Sequence, residues 1–217
     1  MKNKTDITII LDRSGSMESV KSDTIGGFNS FLSSQQNTQT EACISLVQFD
    51  DQFETLYLDK DINSADKLTE MTFQPRGSTA LFDAIGRTIN AVGNRLAALP
   101  ETERPDKVLL VIVTDGEENS SNEFSSAKIS EMINHQRNAY KWEFMFIGAN
   151  QDAVLSAQEI GIPMQAALTY AANTQGTQLA FGMMAKKVQN YRSQSDAAAL
   201  NIEDADREEQ YEAGAKK

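Results

Sequence analysis

Three short stretches of the chain hold residues whose types and spacing could do chemistry. Asp12-Arg13-Ser14-Gly15-Ser16 offers a carboxylate and two hydroxyls at alternate positions, Arg76-Gly77-Ser78-Thr79-Ala80-Leu81 offers a further hydroxyl, and Thr114-Asp115-Gly116 offers a second carboxylate. Brought together, Asp12, Ser14, Ser16, Thr79 and Asp115 would form an all-oxygen set. Such a set suits a hard, small cation such as Mg²⁺ or Mn²⁺ and not a soft metal. Serine and threonine are neutral ligands, so the ion would keep much of its positive charge and seek an anion at an open position. That favours capture of a carboxylate. Taken singly, each fragment has a plainer reading: Ser14, Ser16 and Thr79 are also helix-cap residue types, and Asp12 and Asp115 are also turn residues after strands. Gly15, Gly77 and Gly116 would let the backbone turn tightly around an ion, or simply punctuate turns.

The elements that must position these residues are legible in the hydrophobic pattern. The runs Asp6 to Leu11 and Val108 to Val113 are short, apolar and bounded by polar residues, as strands covered on both faces are. Ala42 to Phe49 reads as a third strand, and Phe53 to Leu58, after Asp50-Asp51, as its hairpin partner and hence one antiparallel edge strand. Glu143 to Gly148 supplies a fifth strand and Met164 to Tyr170 a weaker sixth. Between them lie helical stripes. Leu81, Ile85, Ile89, Val92, Leu96 and Leu99 step by four and three residues and stop at Pro100. Val20, Ile25, Phe28 and Leu32 predict a helix before the polar run Ser33 to Thr40, and Phe124, Ala127, Met132 and Ile133 predict another after Asn122. Ala153 to Ile160, closed by Gly161 and Pro163, and Leu179 to Tyr191 complete the set. This alternation predicts an α/β fold: a doubly wound, mostly parallel six-stranded sheet with one antiparallel edge strand and helices on both faces.

In such a sheet ligands bind outside the carboxyl ends of the strands, where the strand order reverses. If the first strand and the Val108 to Val113 strand are neighbours, Asp12 and Asp115 face one another across that crevice. In this order and context the three fragments resemble the von Willebrand factor A family, in its intracellular bacterial or phage-borne form. The metal-ion-dependent adhesion site of that family has a D-x-S-x-S loop, then a Thr, then an Asp. The match lies in D-R-S-G-S, G-S-T-A-L and T-D-G, and the resemblance runs roughly from Lys4 to Ala172. It implies that Asp12, Ser14, Ser16, Thr79 and Asp115 hold the metal, directly or through water. It also implies that the metal grips an Asp or Glu of a protein partner, and that the last helix, Thr174 to Tyr191, could move when a ligand binds. Intracellular members often accompany AAA-type ATPases, chelatases or stress-resistance complexes, so an ATPase is the alternative partner. Around the site, Arg13, Glu117 and Glu118 read as solvated loop charges. Asp83 reads as an exposed helix carboxylate, or else as a residue holding a water or hydroxyl behind the site.

Catalysis has less support. A phosphatase of the haloacid dehalogenase type needs a second aspartate where this chain has Ser14, and neither a P-loop nor a G-x-S-x-G elbow occurs. Cys43 and His135 are the only residues of their types, which leaves no intrachain disulfide, no multi-cysteine cluster and no usual zinc site. The 217 residues are one domain's worth, and 31 acidic against 20 basic residues give a net charge of −11. With no basic run beyond two pairs of lysines, nucleic acid and anionic membrane are not expected partners. The apolar run near the amino terminus is too short for an export signal and no stretch approaches a membrane span, so a cytoplasmic protein is expected. Residues 1–191 read as the domain, and 192–217, rich in Ser, Ala, Asp and Glu, as an acidic, flexible tail or a loosely attached helix.

Overall fold

The computed structural model describes residues 4–149, 153–194 and 196–215. Its strands are β1 (Thr5–Asp12), β2 (Ala42–Phe49), β3 (Phe53–Asp61), β4 (Lys107–Thr114), β5 (Glu143–Gly148) and β6 (Ala167–Thr169). They form one sheet in the order β3-β2-β1-β4-β5-β6, parallel except for β3, which runs antiparallel to β2. Its helices are α1 (Lys21–Gln36), α2 (Leu81–Ala98), α3 (Ser126–Tyr140), α4 (Ala153–Glu159), α5 (Thr174–Ser193) and α6 (Asp204–Ala215). This is the doubly wound sheet with one antiparallel edge that the hydrophobic pattern predicts.

Side chains alternate across a strand, so each central strand feeds two cores. Ile7, Ile9 and Leu11 of β1 and Leu109, Val111 and Val113 of β4 pack beneath α1 and α5, with Phe28, Phe31 and Met184. Ile10, Leu110 and Ile112 pack on the other face beneath α2, α3 and α4. The stripe Leu81, Ile85, Ile89, Val92 and Leu96 of α2 is buried there as its spacing requires, and α2 stops before Pro100, which cannot continue it.

Several elements differ from the pattern. On α3 the buried residues are Ile129 and Ile133, whereas Ala127 is exposed and Phe124 precedes the helix. The stripe there starts one turn later because Phe124 instead covers Gly86 of α2, where a Cβ would meet its ring at 2.7 Å. The helix α1 runs past Ser33 to Gln36, because Gln35 is fully buried and its amide donates to the Ala185 carbonyl at 3.0 Å. The sixth strand is shorter than expected, a 3₁₀ turn at Met164–Ala166 taking its first residues.

Of the acidic end, residues 195, 216 and 217 lie outside the described residues. The rest is more firmly seated than a flexible tail: Leu200 and Ile202 are buried in the core beneath α5. The Gln210 carboxamide of α6 accepts the Ala171 N–H at 3.1 Å and donates to the Gly176 carbonyl at 3.1 Å. Lys187 of α5, itself buried, pairs with Asp206 at 2.9 Å. Composition points to a tail because apolar residues are few, but here polar groups find buried partners. Among the described residues no helix is long and apolar enough to cross a membrane.

Candidate metal centre

The strand order turns back between β1 and β4, and the candidate residues stand at the carboxyl ends of those two strands. Asp12 lies two positions after Ile10 and Thr114 two after Ile112, so both side chains emerge on the α2 face. There the Thr114 hydroxyl donates to Asp12 Oδ2 at 2.6 Å, and the Ser14 backbone N–H donates to Asp12 Oδ1 at 2.6 Å. The latter closes a turn over the carboxylate. Ser14 Oγ is 3.1 Å from Ser16 Oγ, and the Ser16 hydroxyl donates to Asp115 Oδ1 at 2.6 Å. Asp12, Ser14, Ser16 and Asp115 are therefore one connected set. Thr79 joins it at Gly116: a Cβ built there would stand 2.9 Å from Thr79 Oγ1, 3.6 Å from Ser16 Oγ and 3.7 Å from Asp12 Oδ2. Oxygens from the first two sequence fragments converge on the space that Gly116, in the third, leaves open.

The electrostatics fit a cation. Asp12 is fully buried, and that desolvation pushes its carboxyl up to about 6 against the hydrogen bonds from Thr114 and Ser14. Asp115 is also pushed above the ordinary carboxylate range by burial, with the Ser16 hydrogen bond opposing. Among the described residues their hydrogen-bond partners are hydroxyls and backbone N–H groups, not basic side chains. Two desolvated carboxylates near neutral oxygens form a donor set matched to a hard divalent ion.

The loops carrying these groups are tied together from behind. Asp50, fully buried, receives Arg13 Nε at 3.1 Å and Arg76 Nε at 2.8 Å on its Oδ2. Burial works to raise its carboxyl, but the two guanidinium groups and the Gln52 N–H outweigh this and hold it below the usual range. Backbone bonds from Arg76 N to Arg13 O at 2.8 Å, Gly15 N to Gly77 O at 3.2 Å and Ala80 N to Asp50 O at 2.9 Å complete the tie. Gly77 has φ +66° and a Cβ there would meet Asp51 Oδ1 at 2.7 Å, so this crossing admits only glycine without strain. On the far side Asn119 binds Thr79 twice, through Oδ1 to the Thr79 N–H at 2.9 Å and through its own N–H to the Thr79 carbonyl at 3.0 Å.

Three expected surface charges have other duties. Arg13 is buried and pairs with Asp50 and Glu54. Asp83 is buried too and accepts the backbone N–H groups of Asn122, Glu123 and Phe124, each at 2.9 Å. Burial works to raise its carboxyl, but those three donors outweigh it and hold it below its usual value. Glu118 caps the start of α2 at the Phe82 N–H, 2.9 Å, and the Ser120 and Ser121 N–H groups. Only Glu117 of the bordering charges is plainly exposed. Asp50 and Thr114 escaped notice in the sequence because their partners come from distant segments; the one signal was the direct adjacency of Thr114 to Asp115.

A second group with metal-ligand chemistry sits at the opposite end of the sheet. Among the described residues, Asp6, Cys43 and Asp59 bring one ligand atom each within 4.8 Å of one another. Asp6 is six residues before Asp12 on β1, roughly 20 Å away along a strand. Arg95 of α2 already pairs with both Asp6 and Asp59, so this group has its cation, whereas among the described residues no basic side chain pairs with Asp12 or Asp115.

The comparisons with known proteins agree with this architecture. A family model described as von Willebrand factor type A domain matches residues 6–196, which extends the resemblance through the last helix of the domain. No curated protein matches. Among solved structures, a von Willebrand factor type A protein from Catenulispora acidiphila superposes with a TM-score of 0.61 at 15% identity, covering 86% of this chain and 43% of that one. The pilus adhesin SpaC from Lactobacillus rhamnosus GG gives 0.64 at 16%, covering 86% and 31%. Manganese-loaded TRAP protein from Plasmodium vivax gives 0.54 at 16%, covering 82% and 72%. The chain thus spans less than half the length of the first two, and at these identities the likeness is one of fold. With the family model covering most of its length, the chain belongs to the von Willebrand factor type A domain family.

Proposed function

We propose that this protein is a divalent-metal-dependent binding module that captures an acidic residue of a protein partner. Asp12, Ser14, Ser16, Thr79 and Asp115 would hold Mg²⁺ or Mn²⁺. The observation that carries the reading is the convergence of Thr79 Oγ1, Ser16 Oγ and Asp12 Oδ2 beside Gly116, next to two carboxylates that burial disfavours as anions. When bound, the ion supplies a positive charge with an open coordination position for a partner's Asp or Glu. The chain's own residues do the rest. Asp12 is held by Thr114 and Ser14 so that its charge faces the cradle, the serine and threonine hydroxyls leave the ion's charge largely unneutralised, and the Asp50 tie fixes the loop spacing. One fold neighbour is manganese-loaded and another is a pilus adhesin, which supports this reading.

A single metal-bridged carboxylate on a small interface supports a transient contact, and tighter binding needs complementary surface around it. The test is a pull-down from source-cell lysate with wild type in Mg²⁺, wild type in EDTA, and Asp12→Ala in Mg²⁺. A partner retained only by wild type in Mg²⁺ is the expected result, and equal capture in all three overturns the reading. The proposal is of binding and not catalysis. Magnesium-dependent phosphatase or esterase turnover abolished by Asp12→Ala would replace it with a hydrolase.

A further inference from the structure

Beside the metal cradle lies a groove of about 330 Å³ that shares Gly116 as a wall. The same glycine that leaves room for Thr79, Ser16 and Asp12 to converge also opens onto this groove, so a segment whose carboxylate reached the cradle would lay its neighbouring residues into it. The floor is apolar: Phe146 and Ile160 are buried beneath it, and Phe82 is half-buried at its side. The rim is acidic. Glu117 and Glu159 are exposed, and Glu118 stands half-buried beside them with its oxygens accepting backbone N–H groups. Among the described residues, the groove's lining includes no lysine or arginine.

We propose that this groove selects the partner: the captured segment carries one acidic residue for the metal and, within about three positions of it, an apolar and a basic residue. The proposal rests on the carboxylate-capture reading and deepens it. The reach follows from geometry, because an extended segment advances about 3.3 Å per residue, so three residues reach about 10 Å from the captured carboxylate into the adjoining groove. The apolar side chain fills the floor. The basic one answers the carboxylates of Glu117 and Glu159, and charge complementarity at a rim of this kind acts on specificity and encounter rate. The same rim works against the wrong partner. A segment rich in acidic residues would meet the metal with one carboxylate and repel three glutamates with the rest, so the groove discriminates by repulsion as well as attraction.

The experiment is a bead-displayed peptide library with a fixed central Asp and three randomised positions on each side. It is screened against wild type in Mg²⁺, wild type in EDTA, and Glu159→Lys in Mg²⁺. Glu159 stands on the exposed end of α4 and is none of the five proposed ligands, and Mn²⁺ binding by the variant serves as the control that its cradle is intact. The expected result is magnesium-dependent enrichment of peptides with Lys or Arg and Leu, Ile or Phe flanking the Asp. Glu159→Lys should weaken the best basic peptide at least fivefold and lose the basic preference. Magnesium-dependent enrichment without that preference, or an unchanged preference in Glu159→Lys, overturns the proposal and leaves carboxylate capture standing. No magnesium-dependent binder at all overturns both.

Discussion

Burial works against the charge on Asp12, and a bound cation would work for it. In the metal-free protein its carboxyl stands at about 6 against an ordinary 3.8, so the folded state holds that proton more tightly than the unfolded chain. The stability gained is full below pH 3.8 and lost as pH rises through 6, a difference of about 3 kcal/mol. Asp12→Asn removes the titration. The Thr114 hydroxyl, 3.1 Å from the Gly116 carbonyl, can turn its proton there and accept from the new amide. In EDTA, the stability of Asp12→Asn relative to wild type should therefore rise by about 2 kcal/mol from pH 4 to pH 7 in denaturant titrations. A constant difference would contradict the assignment. Gly116→Ala tests the cradle from the other side. Its Cβ would stand 2.9 Å from Thr79 Oγ1 and inside the space where the oxygens converge. Mn²⁺ affinity should fall at least tenfold, on the scale of lost metal-site contacts, with the metal-free melting temperature little changed; undiminished affinity would place the ion elsewhere. At this scale the sequence was informative where chemistry is local. Asp12, Ser14 and Ser16 share one loop and announce themselves, whereas Asp50 and Asp83 act on segments about forty residues away and look like any other surface carboxylate.

Between elements, the loop after β1 and the loop before α2 are joined through Asp50 and its two arginines, and the loop after β4 is joined to Thr79 through Asn119. Metal affinity should therefore depend on residues that never touch the ion. Arg76→Gln is the mildest probe, since its side chain is half exposed and the buried Arg13–Asp50 pair survives. Isothermal titration with Mn²⁺ should show roughly 10-fold to 100-fold weaker binding, the usual effect of losing an outer-shell partner, at an unchanged melting temperature in EDTA. Equal affinity would make the tie a structural ornament. The elements themselves were legible where one periodicity ruled. The continuous apolar runs of β1 and β4 and the stripe of α2 leave few alternatives. The start of α3 was not, because Phe124 fits a helical stripe by spacing but is used before the helix to cover Gly86. No pattern within one segment reveals the glycine on another that receives it.

At the scale of the whole molecule, the doubly wound order brings the ends of β1 and β4 side by side, and this is what turns three fragments into one site. The alternation of strand and helix foretold that much. It did not foretell the seating of α6, whose buried contacts are polar: Gln210 satisfies two backbone groups of the segment leading into α5. Leaving those groups unpaired costs about 1 to 3 kcal/mol, so Gln210→Ala should lower the unfolding free energy by that amount and raise hydrogen exchange at Ala171. No loss of stability would mean that α6 is held by its other contacts, Lys187 with Asp206 and Asn173 with the Ala213 carbonyl among them. The central claim, a divalent cation at the Asp12 set, is tested most directly by titrating Mn²⁺ into the protein and following free Mn²⁺ by electron paramagnetic resonance. Wild type, Asp12→Asn and Asp59→Asn are compared. The account predicts one saturable site in wild type and Asp59→Asn and its loss in Asp12→Asn. Saturable binding that survives Asp12→Asn, or disappears in Asp59→Asn instead, would contradict it.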